Sequence, residues 1–263
     1  MTKTISYLIP VYNEEKRLIK SAAALRNAVI PAELELEKII FVNDGSTDET
    51  LSLLNKFGQE IENDTGVTVE IISYNDNKGK GYAIRKGMAA SNSDYTLFFD
   101  ADMATPLSEL EKFIPYMEAG ENVIVGTRKN GESTVIKHQP KIREVLGRVY
   151  TLLSQAVLNT WVTDFTCGFK AFSRQAKNDI FNRGKIDRWG YDSEILFLAK
   201  ELGYKIREKA VLWSDDRNSR VKISSAMFTS FIELLRIRLY NVTGQYNIGY
   251  AKRWAAKFGL LGS

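Results

Sequence analysis

The sequence has one cysteine, Cys167, and one histidine, His138, in 263 residues. A lone cysteine excludes an internal disulfide framework and fits a reducing compartment. A lone histidine excludes a His-rich metal site, and His138 reads as a surface residue in a polar, lysine-flanked segment. No apolar run approaches the length of a membrane-spanning helix. No N-terminal targeting segment is visible, because the apolar start, Ile5–Val11, is short and runs at once into polar and charged residues. There is no internal repeat and no low-complexity tract. The loop Asn75–Gly81 is rich in glycine and lysine but lacks the phosphate-loop pattern GxxxxGK followed by Ser or Thr, which argues against ATP. Basic residues are dispersed and the net charge is only +4, which argues against nucleic acid. That mild basicity fits anionic ligands or a membrane surface.

The composition is 44% hydrophobic and 26% charged, enough to bury a core and form one large α/β domain or two small ones. Hydrophobic periodicity predicts strands at Ile5–Val11, Lys38–Asn43, Val67–Ser73, Tyr95–Phe99 and Asn122–Gly126. Helices are expected between them at Glu15–Ala28, Glu49–Phe57, Tyr82–Ala90 and Leu107–Glu118. Asp44-Gly-Ser-Thr-Asp48 reads as a turn, with Gly45 free to take positive φ and Thr47 or Asp48 capping the next helix. This alternation predicts a mostly parallel twisted sheet flanked by helices. Its strand-to-helix loops share one edge, so Asn13, Glu14, Asp44, Asn77, Lys80, Asp100 and Asp102 are expected around one cleft.

Beyond residue 130 the pattern is less regular. A polar, basic loop spans Gly131–Lys141, and a long helix is expected over Ile142–Trp161. A turn and strand follow within Thr163–Phe172, then a helix at Arg174–Phe181. A helix over Ser193–Leu202 is expected with Asp192 or Ser193 as its N-cap, and a strand over Lys205–Trp213. Ser225–Tyr240 reads as an amphipathic helix with Met227, Phe228, Phe231, Leu234, Leu235 and Leu239 on one side, and Arg236 and Arg238 nearby. The tail adds Tyr246, Tyr250, Trp254 and Phe258 among lysines and arginine, a mixture suited to a lipid headgroup region. The chain therefore divides, on this reading, into 1–222 and a C-terminal amphipathic extension, 223–263, meeting a membrane surface or a second copy in a homodimer.

The stretch Tyr95–Pro106, YTLFFDADMATP, ties these parts together. A buried strand ends in two carboxylates, Asp100 and Asp102. Burying such groups is costly without a partner. A divalent cation, Mg²⁺ or Mn²⁺, bridging carboxylates to a substrate's phosphates would supply one. The carboxyl end of a strand is where open α/β sheets bind ligands. Taken alone, the pair also serves as a turn cap. Cys167 reads as a small buried residue, since no histidine neighbours it to activate it.

The ordered set Ile9–Glu14, Val42–Asp48, Asn77–Gly81, Asp100-Ala101-Asp102, Gly126-Thr-Arg128, Asp164–Lys170, Arg188–Glu194 and Arg217–Lys222 resembles the family 2 glycosyltransferases with the GT-A nucleotide-sugar-binding fold. More narrowly, it is similar to the polyprenyl-phosphate sugar transferases, such as dolichyl-phosphate glucosyl- and mannosyltransferases. The run from Asp164 through Lys170 followed by Arg188–Glu194 leans to the glucosyl branch. The resemblance implies an inverting transfer of a hexose from a UDP-sugar to polyprenyl phosphate at the cytoplasmic face of a membrane. It implies that Pro10, Tyr12 and Glu14 hold the base and ribose, that Asp44 meets the nucleobase, and that Lys80 and Ala101 join them. Asp100 and Asp102 would form the metal and diphosphate site. Arg128 and Arg143 would clamp the acceptor phosphate, which suits a planar, always-charged fork. Arg217, Ser219 and Arg220 would order over the donor. Asp164 and Asp192 would bind sugar hydroxyls or act as a base.

Two positions depart from the mannosyl-type pattern. Ala104 stands where those relatives have a metal-binding Gln, and Gly147 where they have a Ser touching the acceptor phosphate. A phosphate monoester with a second pKa of about 6 is largely dianionic at neutral pH and attacks without a base. Positioning and charge stabilisation would then suffice. A saccharide hydroxyl acceptor, which needs a general base, and a non-catalytic nucleotide-sugar-binding partner of a membrane protein are the alternatives.

Overall fold

The computed structural model describes residues 2–129, 131, 133–137, 141–214 and 223–249, with backbone alone at 137, 141 and 223–228. Arg217, Ser219, Arg220, His138 and the tail residues Tyr250, Trp254 and Phe258 lie outside the described residues. The strands are β1 (Lys3–Val11), β2 (Leu34–Asp44), β3 (Thr68–Tyr74), β4 (Tyr95–Phe99), β5 (Val123–Thr127), β6 (Val135–Lys137), β7 (Phe169–Ser173), β8 (Ile206–Ala210) and β9 (Trp213–Ser214). The α-helices are α1 (Leu18–Arg26), α2 (Thr50–Thr65), α3 (Lys80–Ala90), α4 (Ile114–Glu118), α5 (Lys141–Leu158), α6 (Arg174–Phe181), α7 (Tyr191–Glu201) and α8 (Ile223–Val242).

Among the described residues the strands form a seven-stranded sheet, ordered β3-β2-β1-β4-β7-β5-β8, and a two-stranded sheet of β6 and β9. In the large sheet β7 alone runs antiparallel, between β4 and β5. This is the expected mostly parallel α/β sheet. Side chains alternate between its faces with the period of two that strands impose. Leu8, Val42 and Phe98 enter one core with α3, α6 and α7. Tyr7, Ile9, Phe41 and Phe99 enter the other, against α1, α2 and the Leu107–Phe113 segment.

Several boundaries differ from the sequence reading, each for a local reason. A turn in which the Glu14 carbonyl accepts the Arg17 and Leu18 N–H groups delays α1 to Leu18. α2 continues past Phe57 because Leu54, Gly58 and Ile61 extend its buried stripe. Leu107–Phe113 is a 3₁₀ segment and only Ile114–Glu118 is α-helical, with Pro115 in the first turn, where its missing N–H costs nothing. α7 begins with Gly190 at its N-cap. Asp192 and Ser193 lie inside it, and Asp192 pairs elsewhere. Lys205–Trp213 splits into β8 and β9, the latter drawn away to β6.

α8 also departs from expectation. Leu234 and Ile237 are buried, whereas Phe231, Leu235 and Leu239 are exposed, so Leu234 does not share their face. Leu234, Ile237, Tyr246 and Ile248 join the core that holds Phe98.

Strand order fixes where a ligand can sit. From β1 the chain steps outward to β2 and β3, then returns to β4 on the other side of β1. The crevice at such a switch point, outside the carboxyl ends of the strands, is where open α/β sheets bind ligands. Here it opens between the ends of β1 and β4. β7 starts at that same edge, with Phe169 opposite Phe99, and so delivers Asp164–Gly168 to it.

Candidate active site

A cleft of about 470 Å³ lies at this switch point. Pro10, Tyr12 and Glu14 from the end of β1 line it, with Asp44 from β2, Lys80 from α3, and Asp100, Ala101 and Asp102 from β4. These eight predicted donor-site residues are therefore gathered in one place. Arg17, Asn77, Arg188 and Trp189 line it too. Arg17 was missed because its position one turn into a loop gives no spacing signal.

The cleft's loops hold one another. The Asn13 N–H donates to Ser46 Oγ at 2.9 Å, the Thr47 N–H to Asn13 Oδ1 at 2.8 Å, and the Glu14 N–H to Thr50 Oγ1 at 2.8 Å. Asn13 has φ of 53°, a left-handed conformation that Asn tolerates. Gly45 has φ of 68°, and a Cβ there would stand 2.6 Å from the Asn77 nitrogen, so only glycine lets the two loops meet. The Asp48 carboxylate accepts the Thr50 N–H at 3.0 Å, but α2 takes Glu49 as its N-cap with no side-chain cap bond, so neither Thr47 nor Asp48 fills the capping position expected of it.

Asp44 is buried at this junction. Its carboxylate accepts the N–H groups of Lys78 at 2.8 Å and Gly79 at 2.9 Å and the Asn77 side-chain amide at 2.9 Å. Burial, and after it the Asp44 charge, push the Tyr74 phenol well above its usual range.

The β4 turn is tight. The Met103 N–H donates to the Asp100 carbonyl at 3.1 Å, and Met103 has φ of 52°, an uncommon conformation for a side chain of its size. Asp102 Oδ1 accepts the Ala104 N–H at 3.0 Å. The Asp100 carboxylate lies against the Cα of Gly168, where any Cβ would overlap it. Lys80 donates to Asp100 Oδ1. Burial alone would lower the Lys80 ammonium, but Asp100, Asp192 and Asp102 outweigh it and raise it above the ordinary lysine value. Burial first, and Asp100 second, raise the Asp102 carboxyl.

Among the described residues no group of three or more His, Cys, Asp or Glu side chains is placed to hold a metal ion. Asp100 and Asp102 nevertheless fit one. They repel each other in a half-buried site, and Mg²⁺ or Mn²⁺ is commonly held by one or two carboxylates plus substrate phosphates and water. Ala104 offers the site its backbone N–H and no side-chain ligand.

Past Asp100 lies a second cluster. Arg128, just beyond β5, grips the fully buried Asp164 with both arms of its fork, Nε at 2.7 Å and Nη2 at 2.9 Å. Arg128 Nη2 also donates to Thr166 Oγ1 at 2.9 Å, and the guanidinium stacks 5.2 Å from the Trp213 ring centre. Burial would raise the Asp164 carboxyl, but Arg128 and then Lys129 hold it well below the carboxylate range. Lys129 stands 3.5 Å from Asp164. Asp192 pairs with the fully buried Lys170, whose ammonium lies 5.3 Å from the Phe98 ring centre. Arg143 sits in the first turn of α5 and does not line the cleft. Burial pushes the Cys167 thiol up to about 12, so it is inert, as expected. Lys129 and Lys170 were missed; a lone lysine at a strand end or within an apolar strand carries no motif.

The model of the family described as glycosyl transferase family 2 matches residues 6–181. The chain belongs to that family. It is 29% identical over 253 residues to a dolichyl-phosphate beta-glucosyltransferase of Dictyostelium discoideum, covering 93% of this chain and 76% of that protein. It is 30% identical over 269 residues to a Homo sapiens protein of the same name, covering 96% and 80%. Among solved structures it resembles glucosyl-3-phosphoglycerate synthase from Mycobacterium tuberculosis in complex with Mn²⁺, UDP and glucosyl-3-phosphoglycerate. The TM-score is 0.63 and the identity 19%, over 89% of this chain and 78% of that one. S. aureus TarS 1–349 in complex with UDP-GlcNAc superposes with a TM-score of 0.56 at 17% identity, over 89% and 65%. The fold is thus GT-A, and this family 2 member is a glycosyltransferase.

Proposed function

We propose that this glycosyltransferase moves glucose from UDP-glucose to a polyprenyl phosphate, with inversion and with Mg²⁺ or Mn²⁺ at Asp100 and Asp102. The observation that carries the reading is the state of the carboxylates beyond Asp100. Asp164 is locked in a two-armed ion pair and its carboxyl is held far below the carboxylate range. Asp192 is paired with Lys170. A hydroxyl acceptor needs a base, and both candidates are committed to cations. A phosphate dianion needs none, and the site offers it positive charge instead.

In this reading Asp44 accepts a base N–H at one end of the cleft, and Tyr12 and Glu14 flank the ribose. Asp100 and Asp102 would hold a metal ion that would supply positive charge to the departing diphosphate. Lys80 steadies Asp100 and adds charge beside it. A phosphate oxygen of the acceptor attacks the anomeric carbon, the bond from that carbon to the UDP oxygen breaks, and the electron pair leaves with UDP. Arg128 and Arg143 reduce the repulsion between the two anions, and positioning replaces acid–base chemistry.

A lipid acceptor also requires contact with a membrane. No helix among the described residues is long and apolar enough to cross one. Exposed apolar side chains do line α5 (Ile142, Val145, Leu152) and α8 (Phe231, Leu235, Leu239). They support peripheral attachment, on the cytoplasmic face where nucleotide sugars are found.

The test is transfer of labelled glucose from UDP-glucose to a short polyprenyl phosphate, with and without Mn²⁺, alongside thermal-shift titration with UDP and GDP. UDP at about 100 times its Kd should add about 2.7 kcal/mol of stability. The expected result is a metal-dependent glucolipid product that Asp102→Ala abolishes. Undiminished turnover by that variant in Mn²⁺, or a shift with GDP alone, overturns the reading.

A further inference from the structure

We propose that Lys129 is a phosphate-binding cation of the acceptor subsite, standing over Gly147 in the space that a larger side chain on α5 would fill. The proposal rests on the phosphate-acceptor reading above and names a residue for it.

The geometry begins at the end of β5. Lys129 follows Arg128, and its side chain crosses to α5, where Nζ donates to the Gly147 carbonyl at 3.3 Å and to Thr151 Oγ1 at 2.9 Å. A Cβ built at Gly147 would meet Lys129 Nζ at 3.9 Å and nothing else within 4 Å. Arg143, Gly147 and Thr151 succeed one another at four-residue intervals, so they share one stripe of the helix. Lys129 therefore lies along the stripe that carries Arg143.

Charge gives the second argument. Among the described residues Arg128 and Lys129 pair with one buried carboxylate, Asp164. Two cations on one anion leave a net positive charge in a largely buried setting, and such charge is costly unless something neutralises it. Arg128 is fixed by its fork on Asp164 and its contact with Thr166. Lys129, by contrast, reaches Asp164 only at 3.5 Å, hydrogen-bonds two neutral oxygens and carries a flexible stem, so its ammonium can turn to an incoming phosphate as a point charge. The place is right for chemistry, because the loop that carries Asp164 runs on to Gly168, against which the Asp100 carboxylate lies. An anion held there borders the diphosphate end of the cleft.

The protonation state supports the assignment. Burial, and after Asp164's opposing pull the neighbouring Arg128, set the Lys129 ammonium below the ordinary lysine value, with Asp164 and Cys167 pushing back. From α5 the groups in contact are neutral, Gly147 and Thr151. A phosphate dianion would pull the ammonium back towards full protonation, whereas a neutral hydroxyl would gain nothing from it. Lys129 would thus help the site choose a phosphate over an alcohol.

Steady-state kinetics with UDP-glucose and a short polyprenyl phosphate test this on wild type, Lys129→Met and Lys129→Arg, with melting temperature and UDP affinity measured on each. Lys129→Met should raise the acceptor KM at least about tenfold, the loss expected of one charge-assisted hydrogen bond, and leave the UDP affinity and UDP-glucose KM within about twofold. Lys129→Arg should recover most of the affinity. It should also move to higher pH the alkaline limb along which the wild-type acceptor KM rises. An unchanged acceptor KM in Lys129→Met overturns the proposal and leaves the proposed function standing. So does a parallel loss of melting temperature and of both KM values, which would mark Lys129 as a mere anchor for α5. A wild-type enzyme that glucosylates a saccharide but no polyprenyl phosphate overturns both.

Discussion

Asp44 and Asp164 are buried carboxylates at the same sheet edge, 3% and 0% exposed, and they are held by opposite means. Asp44 is held by neutral donors, the backbone of Lys78 and Gly79 and the amide of Asn77. Asp164 is held by the Arg128 guanidinium, with Lys129 close by. Neutral donors leave a carboxylate its negative charge, so Asp44 can still accept an N–H from a ligand. A cation cancels that charge, and two cations reverse its sign. In the proposed function the Asp44 end of the cleft meets a nucleobase, and the Asp164 cluster, which lies past Asp100 and outside the cleft lining, meets an anion. What a carboxylate can do follows from what holds it, and residue type alone does not reveal this.

The sharpest way to break the comparison is to remove each charge. Asp164→Asn leaves the Arg128 fork buried without a counter-charge, and breaking a buried pair this way costs about 3–5 kcal/mol. Asp44→Asn leaves neutral N–H groups short of an acceptor, at about 1–3 kcal/mol. Urea titration of both variants measures the difference. The pH dependence should separate them too. The folded Asp164 carboxyl lies below its unfolded value, so its stabilisation is complete above the unfolded pKa and is lost as pH falls towards the folded one. Asp164→Asn should flatten the acid limb of the wild-type stability curve. Equal losses from the two variants would show that the Arg128 pair contributes no more than ordinary hydrogen bonds.

The two ends also differ in how far they could be read from sequence. Most donor-end residues sit at or just past the end of a strand whose apolar run is plain, as Asp44 does after IIFVN and Asp100 after YTLFF. Parallel pairing then brings those ends together with no further information. The acceptor end depends on partners far apart in sequence. Arg128 meets Asp164 only because β7 inserts antiparallel between β4 and β5, and an isolated five-residue strand does not announce its direction. Lys170 illustrates the limit: a lysine in FKAFS reads as facing solvent, yet it is fully buried because Asp192, 22 residues later, is there to pair with it.

A smaller effect, about 100-fold in rate, is expected where the two ends touch. Gly168 opens β7's approach to the edge, and the Asp100 carboxylate rests on its Cα. Gly168→Ala must push that carboxylate away from Lys80 and out of line with Asp102. A displacement of about 1 Å at a reacting centre costs on the order of 100-fold. The fold has little reason to fail, so kcat should fall while the melting temperature changes little. The loss should be larger in limiting Mn²⁺ than in excess, because the altered group is a metal ligand in the proposed function. A fall in melting temperature without loss of kcat would mean that the contact serves packing alone.

The smallest expected effect should fall on the donor end only. The Lys185–Gly190 segment carries Arg188 and Trp189 to the rim of the cleft, and buried carboxylates pin it at both ends. Glu194 accepts the N–H groups of Lys185 at 2.8 Å and Ile186 at 3.0 Å and the Tyr246 hydroxyl at 2.7 Å, while Glu233 accepts the Gly190 N–H at 2.6 Å. Burial raises the Glu194 carboxyl, and these donors oppose the rise. Tyr246→Phe removes one donor and keeps the ring, at about 1 kcal/mol. The rim should loosen and the UDP-glucose KM rise a few-fold, while the acceptor KM stays put because Lys129 and Arg128 bond to neither carboxylate. With one donor gone, the Glu194 carboxyl should titrate higher still. A group whose folded pKa is raised stabilises most at low pH and loses that contribution as pH rises through the folded value. The Tyr246→Phe deficit should therefore shrink on acidification. A rise in the acceptor KM alone would mean that α8 and the segment after it serve the other end of the cleft.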